Sequence, residues 1–293
     1  MAESLQSLKK RLDSTGDLHS VVKTMKALAA VNIRQYEAAV QSLADYYRTV
    51  ELALAAVLRR RGDQIHTHKA PALPLAAVVI GSDQGMCGQL NDAITEYAIN
   101  ELDQAYDAGP EQRKILALGE RPASRLDERG VHVDEIMHMP DSADGINASV
   151  QDILVRIEQW GAQDIHRVVL FHTRHESAGT HYPVTMPLLP VDEIWLRDLE
   201  DQPWPTKQIP GYREERRHLF GLLISQYLFV SIFRALAESL ASENASRLRS
   251  MQNAERNIEE QLEELTSRYH QQRQMAITEE LLDIAAGFEA LKG

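Results

Sequence analysis

The chain of 293 residues holds one cysteine, Cys87. An internal disulfide is therefore excluded, and the composition fits a reducing compartment. Aromatic residues are scarce at 6%, as expected where helix surface rather than sheet dominates. Long apolar runs are lacking too. The most hydrophobic stretch, LFGLLISQYLFVSIF (219–233), is broken by Ser225, Gln226 and Ser231, whereas a membrane helix needs about 20 clean residues. It reads as a helix buried on most sides, with no insertion into a membrane. The opening MAESLQSLKKRL is polar with leucines at helical spacing, and reads as a helix start rather than a secretory leader. Net positive charge is absent: the formal charge is −12, which argues against general nucleic-acid binding. The acid is concentrated in residues 63–210, with 24 Asp and Glu against 11 Lys and Arg, while residues 1–62 are net basic.

Proline is missing from both ends. All 11 prolines lie between Pro71 and Pro210. Proline inside a helix costs about 3 kcal/mol, so the two proline-free arms are free to be long helices, and their periodicity says that they are. Leu5, Leu8, Leu12 and then Tyr36, Val40, Leu43, Tyr47, Val50, Leu54 and Val57 step by three and four, as do Ile258, Leu262, Leu265, Tyr269, Gln272 and Ala276. This is the seam of a coiled coil. At 1.5 Å per residue the arms would reach about 85 and 115 Å, too long to fold inside a domain of this size. With a domain between them, the simplest closure is an antiparallel pair. Gly16, His19, Asn32 and Gln272 soften the seam.

The middle alternates. LAAVVI (75–80), KILAL (114–118), VHVDEIM (131–137) and RVVLFHT (167–173) read as strands, and residues 92–106, 122–130 and 146–161 as helices, which predicts a parallel sheet with crossover helices. THYPVTMPLLPVDEIWL (180–196) reads as an antiparallel edge strand, since Pro183 and Pro187 bar it from the sheet centre. EDQPWPTKQIPG (200–211) reads as a return into the final helix. The expected architecture is α/β with long helices: an N-terminal coiled-coil helix (1–62), a central Rossmann-like α/β domain (63–212) and a C-terminal coiled-coil helix (213–293).

GSDQGMCG (81–88) looks like a site. It lacks the G-K-[ST] ending of a phosphate-binding loop and the G-x-G-x-x-G of a dinucleotide fold, and Asp83 would repel a phosphate. A nucleophile elbow needs small residues two positions either side of the nucleophile; around Cys87 these are Gly85 and Gln89, with no histidine near in sequence. The turn reads as structural: Gly81, Gly85 and Gly88 supply tight geometry, Asn91 caps the next helix, and Cys87 packs as a small apolar group. A ligand contact and a catalytic thiol are the alternatives. His172, His175, Glu176 and His181 lack zincin spacing and read as exposed hairpin polars. EEQLEE (259–264) reads as a solvated coiled-coil surface, and KTMK (23–26) as either a basic contact patch or an ordinary helix face. No catalytic residue, cofactor or metal is expected.

The layout together with three segments resembles the gamma subunit of F-type ATP synthases. VVKTMKALAAVNI (21–33) is similar to the family's Lys-x-Met-Lys helix, and GSDQGMCGQLN (81–91) to its Ser-Asp-(Arg/Lys)-Gly-Leu-Cys-Gly-x-Leu-Asn turn. ALAESLASENASRLRSMQNA (235–254) and LTSRYHQQRQMAITEELLDIAAG (265–287) are similar to its final helix. The resemblance spans the whole chain. It implies an asymmetric rotor shaft in the bore of three alpha and three beta subunits, with its foot on the membrane c-ring beside the epsilon subunit. The complex would lie on the cytoplasmic face of the inner (plasma) membrane, this chain being a non-catalytic, peripheral part of it. Lys23, Met25 and Lys26 would face the lower beta lobes. Arg273, Gln274 and Thr278 would make a polar grip higher in the bore, and Ile284, Ala285 and the last residues would turn in an apolar collar. The turn around Cys87 would do no chemistry.

The chain departs from the family pattern at LDSTGDLHS (12–20), where basic residues are usual, at Gln84 in place of a basic residue, and at YLFVS (227–231) in place of Tyr-Leu-Glu-Ser-Gln. These departures point to a divergent branch, of the kind expected for an alternate ATPase beside a standard one. Two competing classes are a coiled-coil scaffold with an α/β sensory domain, which would form a homodimer, and a cysteine hydrolase with Cys87 as nucleophile.

Overall fold

A computed structural model describes residues 4–59, 74–106, 109–175, 181–208 and 211–290. Among these residues seven α-helices and five strands follow one another: α1 (Leu5–Ser42), α2 (Ala44–Arg59), β1 (Leu75–Ile80), α3 (Leu90–Gln104), β2 (Arg113–Leu118), α4 (Glu120–Glu128), β3 (Glu135–Met137), α5 (Ile146–Ala162), β4 (Arg167–His175), β5 (His181–Leu189), α6 (Glu193–Asp201) and α7 (Arg216–Ala290). The described residues form two compact units, Met1–Ala29 with Leu248–Gly293, and Ala30–Arg247. The expected segment boundary at 62/63 lies outside the described residues, and 212/213 falls just before α7.

The first unit is an antiparallel two-helix coil. Lys26 of α1 is bonded to Glu255 of α7, and His19, earlier in α1, lies beside Glu259, later in α7. Between them Val22, Met251 and Ile258 are buried, with Met25, Ala254 and Leu262 packed on them. Leu8, Ala29 and Leu265 extend the buried row. All of these stand at three- and four-residue spacing, so each helix buries one stripe and leaves the rest to solvent.

The second unit is a sheet covered on both faces. Its strand order is β3-β2-β1-β4-β5; β1, β2, β3 and β4 run parallel, and β5 is antiparallel to β4. Alternation along each strand sorts the side chains between two cores. Ala76, Val78, Ile80, Leu116, Leu118, Val168 and Leu170 meet α5 and the segment of α7 from Leu228 to Ala241, with Tyr36 of α1. Leu75, Ala77, Val79, Ile115, Ala117, Val169 and Phe171 meet α3 and α4. A strand buried on both sides has no polar face, which is why LAAVVI is apolar throughout. Among the described residues α7 is the one helix long and apolar enough to cross a membrane, but Val230, Ile232, Phe233, Leu236 and Leu240 lie in the sheet core instead.

Four expectations are corrected. The first arm is two helices, interrupted at Leu43, where the ladder tightens to Leu43 N–H to Val40 O while the Ser42 hydroxyl donates to the Ala39 carbonyl. The strand expected over 131–137 is only Glu135–Met137. Gly130 is in the left-handed region at φ 77°, and Val131 N–H still bonds back to Leu126 O, so the chain is turning until Asp134. The edge strand ends at Leu189, and its expected last residues instead begin α6, with the Asp192 carboxylate accepting from Ile194 N–H. The α6 side chains Leu199 and Trp195 pack with Val50, Leu54 and Ala55 of α2 and Tyr227 of α7. The last correction concerns Asn91, which sits inside α3; the N-cap is Gln89.

Candidate functional site

The strand order reverses between β1 and β4, and the crevice at their carboxyl ends is where doubly wound sheets hold ligands. The glycine turn lies there. Asn91 reaches back to order it: its carbonyl oxygen accepts from Ser82 N–H at 3.0 Å, and its amide donates to Ser82 Oγ at 2.8 Å and Cys87 Sγ at 3.3 Å. A Cβ on Gly81 would stand 2.5 Å from Asn91 Oδ1 and 2.7 Å from Pro122 Cγ, and Gly88 takes φ 60°. Gly85 is different. A Cβ there would meet Arg121 at an ordinary 3.4 Å, and the left-handed residue beside it is Met86, at φ 63°. Asp83 ties the neighbouring loops together, accepting from Glu120 N–H at 3.1 Å and Met139 N–H at 2.8 Å.

Helix α7 is bonded to both sides of this crevice. Ser246 Oγ donates to the Cys87 carbonyl at 2.6 Å, and Arg247, paired with Glu243, reaches the Gln84 and Gly85 carbonyls. On the β4 side, Thr173 N–H donates to Ser239 Oγ and Ser242 Oγ donates to Thr173 O. Cys87 is buried, and burial pushes its thiol pKa up, opposite to what a nucleophile needs. Burial likewise raises the Glu243 carboxyl, against the lowering influence of Arg247.

His172 does not face solvent, contrary to the sequence reading. Its side chain is fully buried and its Nε2 lies 3.0 Å from Glu238 of α7. Arg174 and Arg234 bond the same carboxylate at 3.0 and 2.7 Å. Burial works to raise the Glu238 pKa, but the bonds from His172, Arg234 and Arg174 outweigh it and hold the carboxyl at about 2. His175 and His181 are partners across β4 and β5, and Glu176 lies outside the described residues. Sequence reasoning gave no role to Glu238, Glu243 or Arg247, although Arg234–Glu238 and Glu243–Arg247 are i,i+4 pairs of opposite charge that a helix reading could have flagged.

The coil residues are placed as follows. Lys23 is exposed. Met25 is half-buried against the seam, and Lys26 is engaged with Glu255, whose carboxyl it holds below its ordinary pKa. Arg273 and Gln274 are exposed on α7, and Thr278 is exposed with its hydroxyl donating to the Gln274 carbonyl. The two trios lie on different helices, α1 and α7; Lys26 stands opposite Glu255, well before Arg273 along α7, so the structure does not bring the trios together. Beside the second trio, Met275, Ile277, Leu281, Leu282 and Ile284 are exposed by 46–69%, and Ala285 is exposed as well.

A family model described as ATP synthase matches residues 4–291. The chain is 29% identical over 310 residues to the ATP synthase gamma chain of Bartonella bacilliformis, covering 98% of this chain and 99% of that one. It is 26% identical over 299 residues to the gamma chain of Lachnoclostridium phytofermentans, again covering 98% and 99%. Its fold is similar to a chain in the OSCP/F1/c-ring structure of Euglena gracilis mitochondrial ATP synthase, with a TM-score of 0.64 and 20% identity, covering 98% of this chain and 94% of that one.

Proposed function

The chain belongs to the ATP synthase gamma family, and from that premise we propose how its parts serve as the rotor shaft of the complex. The observation that carries the reading is the coil unit. It buries one stripe per helix and leaves apolar side chains such as Ile277, Leu281 and Ile284 in solvent, a surface that a soluble protein ordinarily covers with a partner. Three alpha and three beta subunits supply that cover. Lys23, Met25 and Lys26 meet the lower beta lobes; Arg273, Gln274 and Thr278 make the polar grip; Ile284 and Ala285 turn in an apolar collar. The foot rests on the c-ring with the epsilon subunit.

Mechanically the shaft is a ligand with unequal affinity for the open and closed beta conformations. Because its surface is asymmetric, each beta subunit meets a different face, and rotation exchanges their populations. Helices unbroken through the coil unit, α1 from Leu5 to Ser42 and α7 from Arg216 to Ala290, suit the transmission of torque. The chain itself carries out no bond-making step. The crevice where an α/β sheet would hold a nucleotide is bonded shut by Ser246 and Arg247, and the turn around Cys87, with Gly81 and Gly88, shapes backbone. The complex works at the cytoplasmic face of the membrane. Asp13, Gly16, Asp17, Gln84 and the YLFVS segment support an alternate ATPase carried beside a standard one.

The test is assembly. Co-expressed with the alpha and beta subunits of its own genome, one copy of the chain is expected in a complex with three of each, by native mass spectrometry, and ATP hydrolysis is expected only when it is present. A homodimer that ignores both subunits overturns the reading in favour of a scaffold. Equal activation of a standard hexamer by this chain and by that hexamer's own gamma chain would remove the alternate-branch assignment.

A further inference from the structure

We propose that His19, Glu255 and Glu259 form a binding site for a divalent transition-metal ion, with zinc as the probe, that staples α1 to α7 within the coil unit. Each side chain offers a ligand atom, and the three atoms lie within 4.8 Å of one another. Glu255 and Glu259 are one turn apart on α7, where like charges repel unless a cation stands near both. The third ligand, His19, comes from the facing helix. Its Nε2 is shielded from solvent and has no hydrogen-bond partner, although Glu259 Oε1 is 3.4 Å away. That separation is long for a charge-assisted hydrogen bond. It matches the edge of a zinc tetrahedron, about 3.3–3.5 Å for donors 2.0–2.1 Å from the ion.

The donor set narrows the metal. One imidazole and two carboxylates suit zinc and its first-row neighbours, whereas calcium and magnesium take six or more oxygens. Lys26 occupies Oε2 of Glu255, and a carboxylate has a second oxygen to give. Lys23 and Lys26 both act on Glu255, so they lower the affinity of the site without taking all of its oxygens. The exposed side of Glu259 leaves room for water as the fourth ligand. Bound there, the ion adds a third kind of link between two helices already joined by an apolar row and the Lys26–Glu255 pair, so it stiffens the coil. The site uses the coil unit's own residues and stands or falls apart from the rotor reading.

The experiment is calorimetric titration of zinc chloride into the full chain freed of metal by chelation. One saturable ion per chain at His19 is expected, with thermal unfolding shifted upward. His19→Ala and Glu259→Gln are each expected to weaken binding at least about tenfold. The second variant is isosteric and keeps the helix, which circular dichroism verifies. His175→Ala combined with His181→Ala, which removes the histidine pair on β4 and β5, is expected to leave the titration unchanged. Absence of a saturable site up to about 100 μM zinc, or an affinity that neither His19→Ala nor Glu259→Gln alters, overturns the proposal.

Discussion

The α/β unit and the coil unit are made from similar residues but bury them to different depths. In the first, all six residues of β1 and both Leu116 and Phe171 are out of contact with solvent, with helices on both faces of the sheet. In the second, Leu8, Val22, Ala29, Met251, Ile258 and Leu265 form one row, and Leu18, Val21, Leu28, Met275 and Ile277 remain exposed. Two helices can cover only the stripe each turns to the other, so apolar surface is left over. The α/β unit therefore supplies its own stability, while the coil unit depends on what surrounds it.

Matched leucine truncations are the severest test of this contrast. Leu116→Ala is expected to destabilise its unit by about 4 kcal/mol, as for a fully enclosed leucine, and Leu265→Ala its own by about 2, because a two-helix seam can close around the gap. Hydrogen exchange read separately over β2 and over residues 258–272 measures both; equal losses would break the comparison. Glycine substitutions sharpen it next. Gly119 sits at φ +101°, and a Cβ there would stand 2.6 Å from the Ser82 carbonyl carbon, so Gly119→Ala should cost about 3 kcal/mol in urea unfolding. Gly16→Ala should instead stabilise the coil by about 1 kcal/mol, since nothing lies within 4 Å of the added carbon.

Charge gives a smaller contrast. Glu238→Gln should cost about 2 kcal/mol, because it weakens the bonds of a buried histidine and two arginines at once. Lys26→Ala, at a more exposed pair, should cost under about 1. The pH dependence follows from the direction of each shift. Glu238 is held at about 2, below its ordinary 4.5, so its contribution is complete above pH 4.5 and is lost as pH falls toward 2; the Gln variant should lack that part of the acid limb. Glu243, raised by burial, runs the other way and costs stability as pH rises above its ordinary value. The smallest expected effect on the chain itself is at the outer face. Arg273→Ala should change its melting by less than about 0.5 kcal/mol yet lower ATP turnover of the assembled complex several-fold, measured by a coupled assay.

The heptad steps were legible because they report which residues share a helix face: Ile258, Leu262, Leu265, Tyr269, Gln272 and Ala276 are all buried or half-buried. The four parallel strands were legible for the same kind of reason, although β3 is shorter than its apolar pattern suggested. Helix α6 was missed because Pro183 and Pro187 dominated the reading of that stretch, while Asp192, an ordinary N-cap residue, stands only two positions after Pro190. The break at Leu43 has no proline or glycine to announce it. At the crevice, the glycines pointed to the turn, but Ser246 and Arg247, which close it, lie some 160 residues further along the chain.

What the sequence determined by itself was local: two proline-free helical arms, a strand-and-helix middle, a seam on each arm, and an acidic centre. Periodicity and backbone preference act among neighbours three or four residues apart, and they survive whatever the rest of the chain does. Only the tertiary structure decided that α7 covers one face of the sheet and bonds the crevice shut, that His172 is buried against Glu238, and that Lys26 and His19 meet Glu255 and Glu259. Burial and ion pairing depend on which distant side chain is brought opposite, and that is settled only when the layers pack.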